Sequence, residues 1–332
     1  MNQSMQLGIN DIMSTLSSEY ILTTPVLFII FNRPTIAHKA FQEIKKVKPK
    51  NLFIAADGPR NNEEEKLCQE TREIILNDID WDCDVKTLFS EHNLGCGIRV
   101  YTAIDWIFSY SEEAIIIEDD CITTTSFFKF CEEILGHYRY NKNIMHIGGF
   151  NFQQKQPVSE HSYYFSKYPI ASGGWATWKR AWILYDWNIA SWPNVRNSKT
   201  FNINYRNKHE KKLWEKIFDK MYKGANDIWD YQWTFACWLN NGMAILPSFH
   251  LIKNIGFGND ATHTKNELSC LLTDTQEITE INHPDTCKIN TEADYFLFIN
   301  NFGGYAVIHE SSIKNKIKQF SKKIILEIIH KT

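Results

Sequence analysis

The chain has 332 residues, of which 43% are hydrophobic, and its formal net charge is −3. This charge excludes a nucleic-acid binder whose affinity comes from a basic surface, and the 14% aromatic content excludes a largely disordered protein. Eight cysteines without a C-x-x-C pair argue against a zinc site and favour free thiols in a reducing cytoplasm.

The first half of the chain alternates between short apolar runs and segments of helical spacing. Residues 1–20 are polar and read as an irregular lead-in without a secretory signal. The run Pro25–Phe31 suits a strand buried on both faces, and Pro34 suits the first turn of a helix. The same reasoning predicts strands at 51–56, 85–89 and 114–117, and helices at 36–47, 63–79 and 98–110.

This alternation predicts an α/β fold with a mostly parallel sheet. The pattern after residue 125 is more mixed. It indicates helices at 127–140, 210–222 and 228–240, a strand at 144–148 and an extended stretch at 163–172. No repeat or low-complexity linker interrupts the chain, so one domain with elaborations is expected.

Polar residues follow each of the four predicted strands. Arg33 follows the first strand, Asp57 the second, Asn93 and Gly95 the third, and the acidic run Glu118–Asp120 the fourth. In an open α/β sheet, ligands bind outside the carboxyl ends of the strands. One such residue would be an ordinary turn or cap residue, but four strand ends on one edge predict a binding site.

The acidic run is the most specific local feature. Three adjacent carboxylates repel one another, and hard oxygen ligands at this density suit Mg²⁺ or Mn²⁺. A solvated acidic turn that caps the next helix is the alternative. The turn Gly95–Gly97 could present backbone N–H groups to a phosphate, but it is neither a G-x-G-x-x-G fingerprint nor a P-loop.

These motifs together resemble the nucleotide-sugar-binding half of a GT-A glycosyltransferase. The similarity is to the N-acetylglucosaminyltransferase I type, which also carries a Glu-Asp-Asp motif, and to bacterial family 2-like enzymes. It covers residues 24–265 and is strongest up to residue 125. The motifs that carry it are Phe31-Asn32-Arg33-Pro34, Asp57-Gly58-Pro59, Asn93-Leu94-Gly95 and Ile115-Ile116-Ile117-Glu118-Asp119-Asp120.

The resemblance implies a Rossmann-like GT-A sheet flanked by helices. It places the catalytic domain at 21–270, with a nucleotide-sugar-binding half at 21–125 and a mixed acceptor half at 126–270. Residues 271–332 would form a C-terminal extension.

The resemblance also implies roles for individual residues on the donor side. Arg33 would contact the donor pyrophosphate, and Arg99 would face the phosphates. Asp57 would accept the N–H of the nucleotide base. Glu118 and Asp119 would line the ribose and sugar side, and Asp120 would be the direct ligand of Mn²⁺ or Mg²⁺.

Two further residues carry roles implied by similar enzymes. In the segment Trp229–Trp233, Asp230 would deprotonate the acceptor hydroxyl, with Asp227 as the second candidate. The alternative for Asp230 is a cap of the helix that follows. On a polar, glycine-punctuated loop, His263 would complete the metal shell, although a lone histidine is often structural.

The eleven tryptophans are unevenly distributed, with five in 175–192 and four in 214–238. Aromatic faces pack on the C–H patches of sugars, and Trp N–H groups donate hydrogen bonds. Most tryptophans are expected in the core. We expect Trp175, Trp229 and Trp233 to contact the donor or acceptor sugar.

Near the C-terminus, isoleucines and Phe320 recur at helical spacing between 313 and 328, and residues 311–332 carry six Lys and one Glu. Such a basic amphipathic helix would bind the anionic inner face of a membrane or dock on the protein through its isoleucines. The first case suits a cytoplasmic or peripheral enzyme that acts on a glycan or glycolipid acceptor.

The sequence therefore predicts a metal-dependent, inverting glycosyltransferase of bacterial surface-glycan synthesis that uses a nucleotide-sugar donor, most simply UDP-linked. One alternative is a sugar-phosphate nucleotidyltransferase, although residues 31–34 lack the Gly-rich loop of that class. The other alternative is a non-catalytic carbohydrate-binding protein, which would not need the acidic run.

Overall fold

The computed structural model describes residues 20–153, 158–171, 173–224, 227–256 and 274–310. The predicted lead-in at 1–19, His263 and the basic helix predicted within 311–332 lie outside these ranges. No helix in the described ranges is long and apolar enough to cross a bilayer.

Ten strands in the described residues form two sheets. The strands are β1 (Val26–Ile30), β2 (Asn51–Ala56), β3 (Asp84–Phe89), β4 (Glu113–Glu118), β5 (Cys121–Thr123), β6 (Ile144–Gly148), β7 (Tyr163–Ser166), β8 (Gly174–Trp178), β9 (Met243–Pro247) and β10 (Ile252–Asn254). The main sheet has eight strands in the order β3-β2-β1-β4-β8-β6-β9-β7, and β5 and β10 form a separate antiparallel ribbon. The four strands of the first half are mutually parallel.

Helices connect the strands and cover the sheet. They are α1 (Pro34–Val47), α2 (Asn62–Asn77), α3 (Cys96–Ile107), α4 (Thr125–His137), α5 (Lys179–Trp182), α6 (Trp192–Val195), α7 (Lys199–Asn202), α8 (Lys208–Tyr222), α9 (Asp230–Leu239) and α10 (Thr291–Asn300). The predicted α/β class with a mostly parallel, Rossmann-like sheet is confirmed.

Strand β1 shows why the sheet is buried on both faces. Val26, Phe28 and Ile30 point into one core with α1 and α4, whereas Leu27 and Ile29 point into a second core with α3 and α9. Successive side chains of a strand point to opposite faces, so an uninterrupted apolar run fills both cores.

The connections of the first half place the ends of β1 and β4 at a topological switch point. From β1 the chain moves outward to β2 and β3, then returns to pair β4 on the other side of β1. The strand order therefore reverses between β1 and β4, which is the position at which open α/β sheets bind ligands.

Strand β8 is the central element that the sequence did not predict. It lies between β4 and β6 and runs antiparallel to both. Its sequence, Gly174–Trp178, is fully buried and lacks the polar alternation of a half-exposed strand.

The described part of the C-terminal extension packs against the second half of the sheet. Ile289 forms a parallel bridge with Phe165. The Asp294 carboxylate accepts hydrogen bonds from Ser166 Oγ (2.6 Å) and from the backbone N–H of Lys167 (3.1 Å). These bonds fix α10 beside β7, and this position bears on the site described below.

Candidate active site

A cleft of about 820 Å³ opens at the switch point. Its lining includes Arg33, Asp57, Gly95 and the acidic run Glu118–Asp120, which lie at the carboxyl ends of four different strands of the first half. The prediction that these four strand ends meet at one edge is confirmed. The second half of the chain contributes other residues, among them Asp230.

Arg33 is paired with the acidic run across the switch point. Its guanidinium donates to Asp119 Oδ1 and lies 3.3 Å from Asp120 Oδ2. Burial alone would lower the pKa of Arg33, but the charges of Asp119 and Asp120 outweigh it and raise that pKa. Arg33 is therefore a permanent cation at the point where the loops after β1 and β4 meet.

Asp119 is buried and Glu118 is partly buried. Glu118 Oε1 accepts a hydrogen bond from the backbone N–H of Gly173 (3.0 Å), and Asp119 is 4% exposed. Burial, together with the negative charge of Asp120, raises the pKa of both carboxyl groups. Additional positive charge at the cleft would favour their ionised forms.

Asp120 is held by the β5–β10 ribbon. Its Oδ1 accepts from Asn254 Nδ2 (3.2 Å), and its backbone carbonyl accepts from the N–H of Ile255 (2.8 Å). A Cβ at position 256 would overlap the Asp120 carboxylate, so Gly256 permits this close approach. The ribbon brings Gly256 to the acidic run, and His263 lies outside the described residues.

Asp57 organises the loop after β3. Its carboxylate accepts hydrogen bonds from the backbone N–H groups of Gly58, Leu94 and Gly95 and from Asn93 Nδ2, at 2.9 to 3.1 Å. Gly95 has a φ of 82°, a conformation that favours glycine. Burial raises the pKa of Asp57, and the loop N–H groups oppose that rise. The structure thus gives Asp57 a structural role, and its predicted contact with a base stays a prediction.

Arg99 faces the strand ends from the first turn of α3. Its Nη1 donates to the carbonyls of Ala56 (3.3 Å) and Leu88 (3.2 Å), which lie at the ends of β2 and β3. Burial lowers its pKa. Arg99 borders the cleft, and its Nη1 is hydrogen bonded to these two carbonyls. Its predicted contact with phosphates stays a prediction.

Asp230 is the first residue of α9, and its Oδ1 accepts from the N–H of Tyr231 (2.9 Å). Asp227 lies in the same cleft, and its Oδ1 would stand 3.4 Å from a Cβ at Gly95. Burial raises the pKa of the Cys96 thiol, and the negative charges of Asp227, Asp230 and the acidic run raise it further. The cleft thus brings the predicted base together with the predicted donor residues.

Two of the three tryptophans predicted to contact a sugar are core residues, and that prediction is wrong for them. Trp175 and Trp233 are 0% exposed. Trp175 stacks on His146 (centroids 5.1 Å apart) and on Trp229 (5.6 Å). Of the three predicted tryptophans, Trp229 borders the cleft, whereas Trp175 and Trp233 do not. Burial of these two rings is favoured because each removes a large apolar area from water.

Acidic side chains outnumber basic ones in the cleft. Among the described residues, its lining includes six carboxyl and three guanidinium groups: Asp57, Glu118, Asp119, Asp120, Asp227 and Asp230, against Arg33, Arg60 and Arg99. Within the described ranges, no three His, Cys, Asp or Glu side chains are grouped so as to hold a metal ion by themselves.

Arg60 follows the second predicted strand, and the sequence places it among the polar strand-end residues without a specific role. It lies over the ring of Phe31, with its guanidinium carbon 5.4 Å from the ring centroid. Other cleft residues were missed by the sequence reasoning. Asn301 and Phe302 also line the cleft, from a segment that the resemblance places outside the catalytic domain. No local motif marks these two residues.

No protein-family model and no curated protein matches the chain. Similar solved structures include a UDP-glucose pyrophosphorylase complexed with UDP-glucose (11% identity, TM-score 0.31, 49% of this chain and 79% of that one). Two others are HddC from Yersinia pseudotuberculosis (10%, 0.30, 48% and 78%) and a 4-diphosphocytidyl-2C-methyl-D-erythritol synthase from Anaerococcus prevotii (9%, 0.29, 59% and 84%). These are nucleotidyltransferases, the class of the alternative function. Similarity at this level carries no conclusion about the reaction of this chain.

Proposed function

We propose that the protein is a cation-dependent glycosyltransferase that moves a sugar from a nucleoside diphosphate donor to an acceptor hydroxyl with inversion. One observation carries the proposal. Arg33 and the acidic run Glu118–Asp120 meet at the switch point, and Asp230 lies in the same cleft. This arrangement offers charge for a diphosphate leaving group and a carboxylate for proton abstraction.

The charge balance of the cleft supports a cation as cofactor. Its lining carries more carboxylates than guanidinium groups, so a diphosphate would be repelled unless positive charge enters with it. Asp120 is partly exposed, with a side chain 17% accessible, and offers hard oxygen donors. The oxygens of Asp120 suit Mg²⁺ or Mn²⁺, which this residue would hold. Diphosphate oxygens and water would supply the other ligands. When bound, the cation would supply positive charge against the departing diphosphate.

Asp230 would act as the general base. Its carboxylate would take the proton of the acceptor hydroxyl as that oxygen bonds to the anomeric carbon of the donor sugar. The bond from this carbon to the diphosphate oxygen breaks, and its electron pair leaves with the nucleoside diphosphate. Arg33 would stabilise the charge that develops on the leaving group.

The acceptor side of the proposal is a glycan or glycolipid. The second half of the chain also contributes apolar and aromatic residues to the cleft, among them Phe152, Ile170, Tyr231 and Phe302. Such surfaces suit the C–H faces of a sugar. Attachment to an anionic membrane belongs to the same proposal and rests on the sequence of 311–332 alone.

Isothermal titration of the full chain with UDP, with and without Mn²⁺, tests the cation and donor site. We expect UDP to bind in the presence of Mn²⁺ and at least about tenfold more weakly without it, because the cleft lining is acidic. Asp120→Asn should remove most of this dependence, whereas Asp84→Asn, on an exposed strand position, should not. Binding of UDP with equal affinity without the metal contradicts the cation requirement.

A second experiment separates the transferase from the nucleotidyltransferase. The protein is incubated with a UDP-sugar and pyrophosphate. A nucleotidyltransferase running in reverse converts these to UTP and a sugar 1-phosphate, whereas a glycosyltransferase releases UDP when an acceptor or water takes the sugar. Formation of UTP would replace our proposal with the alternative.

A further inference from the structure

The segment that follows α10 forms part of the wall of the cleft. Asn301 ends α10 as its C-cap, and both Asn301 and Phe302 border the cleft that holds Asp230. These residues lie more than 180 positions after the acidic run in the chain. Their presence at the site is therefore a product of tertiary packing alone.

Hydrogen bonds fix this segment in place. Besides the bonds of Asp294 to β7, Gln153 Nε2 donates to the Ala293 carbonyl (3.0 Å) and Arg206 Nη1 to the Thr291 carbonyl (2.8 Å). Asp294 and Gln153 are buried. The first turn of α10 is thus tied to three separate parts of the second half, which sets the position of its C-terminal end.

Aromatic contacts connect the segment to the helix of the proposed base. The Phe302 ring lies 4.7 Å from that of Tyr168 and 5.1 Å from that of Trp214, measured between centroids. Trp214 in turn contacts the ring of Tyr231 at 5.9 Å. Because Tyr231 follows Asp230 directly, Asn301 and Phe302 belong to the same side of the cleft as the proposed base.

Asn301 carries an unpaired polar atom at this wall. Its Oδ1 is buried and has no hydrogen-bond partner among the described residues. Buried amide oxygens are almost always paired, so an unpaired one at a cleft requires an explanation. Asn301 itself lines the cleft, so a ligand hydroxyl that reaches this wall could donate to the amide oxygen.

We propose that Asn301 determines acceptor specificity by hydrogen bonding a non-reacting hydroxyl of the acceptor sugar while the reacting hydroxyl faces Asp230. This inference rests on the proposed function. It assigns part of acceptor recognition to the C-terminal segment rather than to the loops after the strands. Phe302 supplies the apolar surface beside that amide.

Saturation-transfer NMR on the full chain, with UDP and Mn²⁺ present, tests this assignment. The probes are the methyl glycosides of glucose, galactose, mannose and N-acetylglucosamine, and the one that wild type binds best is then titrated. We expect Asn301→Ala to weaken its binding about fivefold or more, because one hydrogen bond is lost, and to leave the Kd for UDP within about twofold. Asn300→Ala is the matched control, since Asn300 is exposed and its side chain donates to the Phe296 carbonyl of its own helix.

The outcomes are distinct. Wild-type glycoside affinity in Asn301→Ala overturns the inference, and so does a wild type that binds UDP but none of the four glycosides. Failure of the wild type to bind UDP counts against the proposed function itself. If Asn301→Ala does not fold, as judged by circular dichroism, Asn301→Leu keeps the shape without the polar atoms and is measured in its place.

Discussion

The two halves of the molecule build one cleft by different means. In the first half, charged and amide side chains sit in loops directly after parallel strands, and their positions follow from the strand order. In the second half, the cleft wall comes from the start of α9 and the end of α10, which are held by aromatic packing and buried polar bonds. The first half thus contributes clustered charge, and the second half contributes Asp230 and a wall of packed aromatic side chains.

This difference explains why one set of predicted residues reached the cleft and another did not. A charged side chain is costly to bury, so Arg33 and Asp120 stay at the crevice, where water or ligand can reach them. Burial of a tryptophan lowers the free energy of the folded state, so Trp175 and Trp233 lie in the core. Residue type decided the outcome as much as chain position did.

The largest expected effect is on the pH dependence of stability and concerns His146 in the second half of the chain. It is 0% exposed, and burial lowers its pKa from 6.5 to about 3. As pH falls below 6.5 the unfolded chain takes up a proton that the folded chain does not, so the free energy of unfolding falls, by about 2 kcal/mol at pH 5 and about 4 kcal/mol at pH 3. Urea unfolding at pH 7.5, 6 and 5 would measure this loss. His146→Gln should remove it, and parallel pH profiles of the two proteins would refute the assignment.

Trp175 tests whether the tryptophans of this half are structural. Trp175→Ala should lower the free energy of unfolding by about 3 to 5 kcal/mol, because it opens a cavity among stacked rings. Trp187 is only partly buried and serves as a matched control whose replacement by Ala should cost less than half as much. Denaturant titration measures both. Equal effects would mean that the two positions are equally packed.

Asp230 tests the chemistry where the two halves meet. Asp230→Asn should lower the transfer rate about 100- to 10,000-fold, since a positioned general base contributes about that much. The Kd for UDP should stay within about twofold. Asp227→Asn, in the same cleft, is the comparison. A normal rate in Asp230→Asn combined with a large loss in Asp227→Asn would transfer the role of base to Asp227.

Substitution of Asp57 tests what holds the strand-end loops of the first half in place. Asp57→Asn replaces one of the two oxygens that hold the Asn93–Gly95 loop and should cost about 1 to 3 kcal/mol of stability. Asp84→Asn, at an exposed position of β3, should change stability by less than about 0.5 kcal/mol. Thermal unfolding compares the two. A neutral Asp57→Asn would show that the loop does not depend on this carboxylate.

The sequence alone determined the first half in detail. The apolar run of β1 and the proline that opens α1 predicted a buried parallel strand followed by a helix, and the structure has both at Val26–Ile30 and Pro34–Val47. In a parallel sheet the carboxyl ends lie on one edge, so the meeting of Arg33 with the acidic run followed from local pattern and a general rule of sheet geometry.

Only the tertiary structure decided how the second half packs around the cleft. Strand β8 has no alternating pattern because both of its faces are buried, and Trp175 gives no local sign that it faces the core. Asn301 reaches the cleft because Asp294 and Gln153 anchor α10 far along the chain from the strands it meets. Contacts between distant segments depend on which surfaces pack together, and periodicity within one segment carries no information about its partner.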